Sequence, residues 1–458
     1  MKTPICRGLR SSFSLVLGMT GILSTRNPGF AQDWTITNIP HDAWNSGWNS
    51  IATSADGRRL LAAGGFVHCF FGCEYLPLPL YTSADFGVTW THAAWPSNYW
   101  ASVASSADGA RLVAAATLMQ DNSTVLNGDG LIYISPDSGA TWRQTTAPSN
   151  FWSCVASSAG GTRLVATALR ADVNDSPGSI YTSSDSGATW VRTTAPSNYW
   201  RCVASSADGT QLTAGSSLDF AQGNQFGLIY RSTDSGATWT ATSAPTNNWV
   251  SIAASADGSR LIAAPGGYGT FDLIYISTNS GQSWQPAGAP TNSWMCVASS
   301  AEGTTLVAAA SKALPLFGVE GGDGLIYTSF DFGENWMTNN LPASTWRAVA
   351  CSADGIKLAA ASRDSAPAYE AGAVWVGSYT GKAEFPPRLR IRPSGQSIVV
   401  SWLVSSSFNA LEETPDLTSP GWAFTQTPPI LNFTNLHHEV TVNPSRGENR
   451  FYRLRSEP

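Results

Sequence analysis

A chain of 458 residues, 43% hydrophobic and only 13% charged, is long enough for one large domain and a small one. Its 26 basic and 32 acidic residues give a net charge of −6, and Lys is scarce. That balance excludes nucleic acid and anionic lipid as ligands, because both need clustered Lys and Arg.

The first element in chain order reads as an export signal. Lys2, Arg7 and Arg10 precede a short apolar stretch, Phe13 to Leu23, and Gly29-Phe30-Ala31 places small residues just before a cleavage point at Gln32. A membrane span needs about 20 apolar residues, and this stretch is shorter. Residues 1–31 carry four basic residues and no acidic ones, so the remaining chain has 22 basic against 32 acidic residues, a net charge of −10. Export predicts a secreted, extracellular or periplasmic protein without membrane insertion; attachment to a cell surface stays open.

Residues 32–383 repeat a unit of about 50 residues, and the unit has to be read before any single residue. In residues 100–148, Trp100 to Ser106 alternates without a helical period, and Ala107-Asp108-Gly109 is a turn. Arg111 to Ala116 is a second apolar run, and a loop of about 14 residues follows it. Leu131 to Ser135 is a β-branched and aromatic run, and Ala140 to Thr146 makes a fourth strand. Four short strands separated by turn residues describe one propeller blade. Small residues such as those of Ser153 to Ser158 suit a first strand crowded at a central axis.

Between the third and fourth strands stands one phrase, S-x-[D/N]-x-G-x-[T/S/N]-W, in six copies: Ser83 to Trp90, Ser135 to Trp142, Ser183 to Trp190, Ser232 to Trp239, Ser277 to Trp284 and Ser329 to Trp336. The phrase resembles the Asp-box, or BNR repeat, of sialidases and of propellers like those of photosystem assembly factors and sortilin-type receptors. The resemblance implies a folding role for Asp85, Asp137, Asp185, Asp234, Asn279 and Asp331: the carboxyl accepts hairpin N–H groups and Gly supplies a positive φ.

The first-strand Trp recurs seven times, at Trp48, Trp100, Trp152, Trp200, Trp249, Trp294 and Trp346. The seventh repeat has a third strand, Ala373 to Ser378, but no box and no fourth strand. Asp33 to Pro40 aligns with Ala188 to Pro196 and supplies that strand from the other end of the chain. The expected fold is all-β: a seven-bladed β-propeller with N-terminal strand closure, Thr35 to Ile39 pairing with Ala373 to Ser378. Phe385-Pro386-Pro387 reads as a linker. Residues 384–458 read as a small β-sandwich, with runs at Ser397 to Trp402, His438 to Val442 and Asn449 to Leu454. Its S-W near the start and N-R-F-Y-R-L near the end resemble C-terminal modules of secreted environmental bacterial proteins.

Six cysteines follow the export signal. Cys69 and Cys73 share the loop Phe66 to Tyr75, and in an exported protein a local disulfide is expected. Zinc would need four ligands, and His68 with two thiolates supplies three, so no metal is predicted. Cys154, Cys202 and Cys296 each stand two residues after a repeat Trp, where Ser102 and Ser251 stand in other copies, and read as small core residues.

The hairpins within strands one–two and three–four share one face of the disc. The opposite face gathers the loops between strands two and three, which vary in length, and variable loops on a rigid scaffold carry function. The same face holds Asn98, Asn150 and Asn198, Tyr99 and Tyr199, and Trp100, Trp152, Trp200, Trp249 and Trp294. Two readings of these residues stand. They form a polar-aromatic rim that stacks sugar rings, or the Trp wedge between blades and the Asn cap turns.

The sialidase resemblance is limited to the fold. Sialidases place three Arg around a carboxylate and have six blades. Here Arg59, Arg111, Arg163 and Arg260 occupy one repeat position and read as structural, while Arg170, Arg201, Arg347 and Arg363 reach toward the variable face but are scattered across different blades. Xyloglucan-cleaving glucanases carry two Asp-box propellers, and this chain has one. Inverting hydrolysis needs two carboxyls about 6.5–9.5 Å apart; the loop acids Glu74, Asp121, Asp129, Asp172, Asp219, Asp272, Glu320, Asp323 and Glu370 single out no pair. The leading reading is a monomeric, non-catalytic binding propeller for a glycan or protein ligand, without a cofactor. The alternative is a glycoside hydrolase acting on extracellular polysaccharide.

Overall fold

The computed structural model describes residues 31–40, 47–69, 73–120, 126–171, 176–217, 227–266, 271–312, 322–363, 372–380, 389–394, 397–404, 408–415, 421–443 and 450–456. The proposed export signal and the middles of the loops between second and third strands lie outside them.

Alternating inner strands and turn residues give seven four-stranded antiparallel sheets, each a blade of a ring. The inner strands are Trp48–Thr53, Trp100–Ser105, Phe151–Ser157, Trp200–Ser205, Trp249–Ala254, Trp294–Ser299 and Thr345–Cys351. Each meets its neighbour around the axis, and the last meets the first. Their small residues allow that approach. Second strands such as Leu112–Ala116 and Leu306–Ala310 are buried at every position, because blades pack on both of their faces.

The ring is closed twice. First, Ala31–Ile36 pairs antiparallel with Val374–Thr380, and Trp34 lies opposite Gly377. The pairing runs further toward the chain start than the sequence alignment indicates, because no box hairpin ends this strand. Trp34 still takes the place of a box Trp, since Thr35 pairs with Val376 as Met337 pairs with Thr328 in the preceding blade. Gly377 is required there: a Cβ would stand 2.4 Å from the Trp34 ring. Gln32 Nε2 ties the strand to the preceding blade through Asn339 Oδ1 at 2.7 Å.

Second, the Ala that opens each inner hairpin turn donates its N–H to the matching carbonyl of the next blade. Ala55 donates to Ala107 at 2.8 Å, Ala107 to Ala159 at 2.8 Å, Ala159 to Ala207 at 2.8 Å and Ala207 to Ala256 at 2.7 Å. Ala256 donates to Ala301 at 2.8 Å, Ala301 to Ala353 at 2.9 Å, and Ala353 returns to Ala55 at 2.7 Å. These seven bonds form a circle around the axis.

The C-terminal residues form a four-stranded and a three-stranded sheet, packed through Val400, Trp402, Leu411 and Val440. This sandwich sits on the circle of alanines. Val404, Leu431 and Leu436 pack against Ala55, Ala107, Ala301 and Ala353. At the margin Arg390 pairs with Glu302 at 3.3 Å. One end of the propeller channel is thereby covered.

Candidate binding face

The two faces of the disc are built from different turns. Each Asp-box hairpin leans on the Ala-Asp-Gly turn of its own blade: Ser138 N donates to Ala110 O at 2.8 Å, and Ser186 N to Thr162 O at 2.8 Å. Box hairpins, alanine circle and C-terminal sandwich therefore share one face.

Within a box, Ser183 Oγ accepts Gly187 N at 2.8 Å and donates to Asp185 Oδ1 at 2.8 Å. Asp185 accepts Thr189 N at 2.9 Å and Thr189 Oγ1 at 2.6 Å. These bonds, led by the Thr189 hydroxyl, hold the Asp185 carboxyl down to about 2, and Thr238 does the same for Asp234. Asp85 and Asp137 are lowered for the same reason, by Thr89 and Thr141. In Asp331 burial pushes upward, and donation from Asn335 N and Nδ2 outweighs it. Asn279 keeps the geometry with a reversed partner: its Oδ1 accepts Ser283 N at 2.9 Å and its Nδ2 donates to Ser283 Oγ at 2.8 Å. Besides the Gly, the residue before it is left-handed in every box, as at Ser186 (φ 58). The Ser hydroxyl under the Gly N–H anchors that turn.

On the opposite face, the Trp series is interior. Trp100, Trp200, Trp249 and Trp294 are 0% exposed and Trp152 is 1% exposed. Each packs edge-on against the third-strand Tyr of its blade, as Trp152 does on Tyr181 at 5.3 Å. Most also tie to the previous blade through the indole N–H: Trp100 to Leu78 O at 2.8 Å, Trp152 to Gly130 O at 2.8 Å and Trp294 to Asp272 O at 3.0 Å. Tyr99 and Tyr199 are buried, as are Asn98 and Asn150, and Asn198 is half-buried. The Asn side chains cap the following N–H: Asn98 Oδ1 accepts Tyr99 N at 3.0 Å, Asn150 Oδ1 accepts Phe151 N at 3.0 Å and Asn198 Oδ1 accepts Tyr199 N at 2.9 Å. None of these five indoles offers a sugar ring an exposed face to stack on. Of the two readings of this series, the geometry fits the wedge and the turn cap.

Three loop acids are likewise engaged. Asp129 accepts Leu131 N at 3.0 Å and the Tyr133 hydroxyl; Asp323 accepts Leu325 N at 2.9 Å and the Tyr327 hydroxyl. Asp272 accepts Leu273 N at 2.7 Å and Asn247 Nδ2 at 2.6 Å. Asp129 and Asp323 precede a third strand at equivalent positions, and Asp272 stands one residue further, at the place of Gly130 and Gly324. The side chains of Glu74, Asp121, Asp172, Asp219, Glu320 and Glu370 lie outside the described residues. Among the described residues no group of three or more His, Cys, Asp or Glu can hold a metal ion. Strand register places Cys69 opposite Cys73; their side chains lie outside the description.

What breaks the repeat on this face is basic. The residue after the wedge Trp sits at a register shift of the inner strand. Its side chain lies along the channel wall: Asn49 Nδ2 reaches Trp100 O at 3.1 Å, and Ser153 Oγ reaches Trp200 O at 2.8 Å. The seven occupants are Asn49, Ala101, Ser153, Arg201, Val250, Met295 and Arg347. Arg363 closes the second strand of the last blade opposite Thr345, beside Arg347. Burial, then the charges of Arg363 and Arg201, push the Arg347 guanidinium down to about 9. Burial also lowers Arg201.

No protein-family profile matches the chain, and no curated protein matches it. Solved structures do. The likeness is to β-propellers. A structure of YCF48 bound to a D1 peptide aligns with a TM-score of 0.48 and 14% identity, over 76% of this chain and 96% of that one. A GH74 xyloglucanase from Xanthomonas campestris aligns with a TM-score of 0.50 and 14% identity, over 81% of this chain and 60% of that one. At this identity the likeness is one of fold.

Sequence reading brings Arg201 and Arg347 toward the variable face and misses that they occupy one blade position. Arg201 and Arg347 stand in different blades and look scattered along the chain. The signal lay in the position directly after each wedge Trp, whose side chain reaches the neighbouring inner strand at Asn49 and Ser153 and which is Arg in two of seven. Cys154, Cys202 and Cys296, one residue further, are free thiols at the blade contacts, and burial pushes all three upward. They replace a Ser whose hydroxyl joins blades, as Ser102 Oγ accepts Val155 N at 3.1 Å.

Proposed function

We propose that the protein is an exported, non-catalytic binding disc that takes its ligand, a glycan or a protein, at the channel mouth opposite the Asp-boxes. The observation that carries this reading is the unlike state of the two channel ends. Val404, Leu431 and Leu436 cover the Asp-box end. At the other end the repeat is broken by charged side chains and by loops of unequal length. A concave site with a few polar groups on an apolar scaffold is the usual form of a ligand pocket. Engagement of Asp129, Asp272 and Asp323 in strand-opening hydrogen bonds removes three of the acids available for hydrolysis.

A glycan-array screen of the chain without residues 1–31, run beside a panel of chromogenic glycosides, tests the reading. Binding without turnover is the expected result. Turnover of any glycoside, or a ligand mapped by hydrogen exchange to the Asp-box hairpins, overturns it.

A further inference from the structure

Away from the channel, the C-terminal sandwich carries a side-chain arrangement that its own stability does not require. Its three-stranded sheet joins Ala423–Phe424, Phe408–Thr414 and Phe451–Ser456, with Phe408–Thr414 in the middle. Leu411, Tyr452 and Leu454 pack into the sandwich, so the alternate residues Glu412, Arg453 and Arg455 take the outer face. Arg453 Nε donates to Glu412 Oε2 at 2.7 Å, and Arg455 Nη1 donates to Glu412 Oε1 at 3.1 Å. The Arg453 guanidinium lies over the Trp422 ring, 4.3 Å from its centroid, and that of Arg455 over Phe424 at 5.5 Å. Both arginines thus start on one edge strand, cross the middle strand and end on rings of the other edge. The Glu412 side chain beneath them is 3% exposed, whereas both arginines are at least half exposed and Phe424 is 55% exposed. A carboxylate buried on the solvent side of a sheet costs desolvation, and its pairs with exposed arginines return little stability. What it supplies is order: two long side chains held flat at fixed places.

We propose that this face binds an acidic polysaccharide, a chain of sugar rings that carry carboxylate or sulfate groups. Glu412 takes one N–H from each guanidinium, and a guanidinium has five, so the rest remain for a ligand. Two guanidinium groups against one carboxylate leave the face net positive on a chain whose net charge is −6. One unit of ring and guanidinium, Trp422 with Arg453, is followed by a second, Phe424 with Arg455. The units stand two residues apart on both edges, about 7 Å along a strand. A site that repeats at so short a step suits a ligand that repeats. Flat aromatic and guanidinium surfaces take the apolar face of a sugar ring, and the outward N–H fork takes its acid group. The acidic remainder of the chain disfavours a polyanion as dense as nucleic acid, which needs clustered Lys and Arg. The inference goes beyond the binding-disc reading and stands apart from it, because it uses another domain and another surface.

The test is calorimetric titration of the chain without residues 1–31 with polygalacturonate and chondroitin sulfate, beside fully methyl-esterified polygalacturonate as the neutral polymer. At least one acidic polymer is expected to bind and the neutral one is not. A galacturonate trimer, which spans both units, should bind about tenfold or more tighter than the monomer. Arg453→Gln and Arg455→Gln should each weaken polymer binding by about tenfold or more. Phe424→Ser removes an exposed ring; it should leave the melting temperature unchanged and weaken binding by about threefold or more. Glu412→Gln makes the face more positive and frees both arginines. Weaker binding in that variant supports a positioned pair, and tighter binding overturns it. No binding of either acidic polymer, equal binding of the esterified one, or binding that both arginine variants retain overturns the proposal. Tighter binding of oligo(dT) than of polygalacturonate would give the face to nucleic acid, and a dimer that Phe424→Ser dissolves in sedimentation would give it to a second copy; either overturns it. Polymer binding lost in Arg201→Gln and kept in the Arg453 and Arg455 variants would overturn this site and leave the channel-mouth reading standing.

Discussion

The two ends of the propeller channel are made from the same inner strands and have opposite characters. At the Asp-box end every blade contributes the same group, an alanine N–H and C=O, and the result is a closed circle covered by the C-terminal sandwich. At the other end the side chain after the wedge Trp changes from blade to blade, with Arg in two of the seven. Repetition at one end builds a seal. Variation at the other supplies chemistry that no single blade contains. In a repeat protein the informative residue is therefore the one that departs from its own copies.

Four measurements press on this contrast. The largest effect belongs to a repeated wedge. Trp249→Ala should cost about 3–5 kcal/mol, the range for truncating a buried Trp, read by chemical denaturation; a loss confined to ligand binding would mean that the Trp series is a site after all. Next is the seal. Val404→Asp places a carboxylate against the alanine circle and should cost roughly 2–4 kcal/mol, as an unpaired buried charge does. It should also speed proteolytic release of the C-terminal sandwich, and unchanged protease resistance would show that the sandwich does not rest there.

Within a box, Ser183→Ala leaves the Gly187 N–H without its acceptor and should cost about 1–2 kcal/mol. The smallest effect is that of pH. The carboxyls of Asp185 and Asp234 lie at about 2 in the folded chain against an ordinary 3.8. Their stabilisation is complete above the unfolded value and is lost as pH falls through the folded one. The melting temperature should decline between about pH 4 and pH 2, and Asp185→Asn should flatten part of that decline. A curve identical in the variant would remove the box carboxylate from the stability of the fold.

Much of the fold was legible in the sequence because blades announce themselves locally. Turn residues, alternation and the box phrase recur at short range, and Trp34 could be aligned with the box Trp residues although its partner strand lies at the other end of the chain. The residues of the mouth were not legible. Arg201 and Arg347 share a position around the channel only because the ring closes, and nothing local to either records the closure. The visible pattern, Trp and Asn repeated before every inner strand, drew attention to side chains that the structure buries. The seat of the C-terminal sandwich was hidden for a related reason: Val404, Leu431 and Leu436 read as ordinary residues beside strands until the alanine circle stands next to them.

The strand that completes the last blade has a consequence for how the molecule is made. Gln32 and Tyr379, joined by a hydrogen bond in the folded ring, are 347 positions apart. At ribosomal rates of about 5–20 residues per second, the first strand waits roughly 20 to 70 s for its partner to be synthesised. Through that interval its backbone donors and acceptors are an unmated edge, able to pair with any strand presented to it. Closure by so distant a contact also places the slow entropic step at the end of folding. In a concentrated population the same latch is interchangeable between molecules: the first strand of one chain fits the seventh blade of another, and the fold carries within it a route to exchanged dimers.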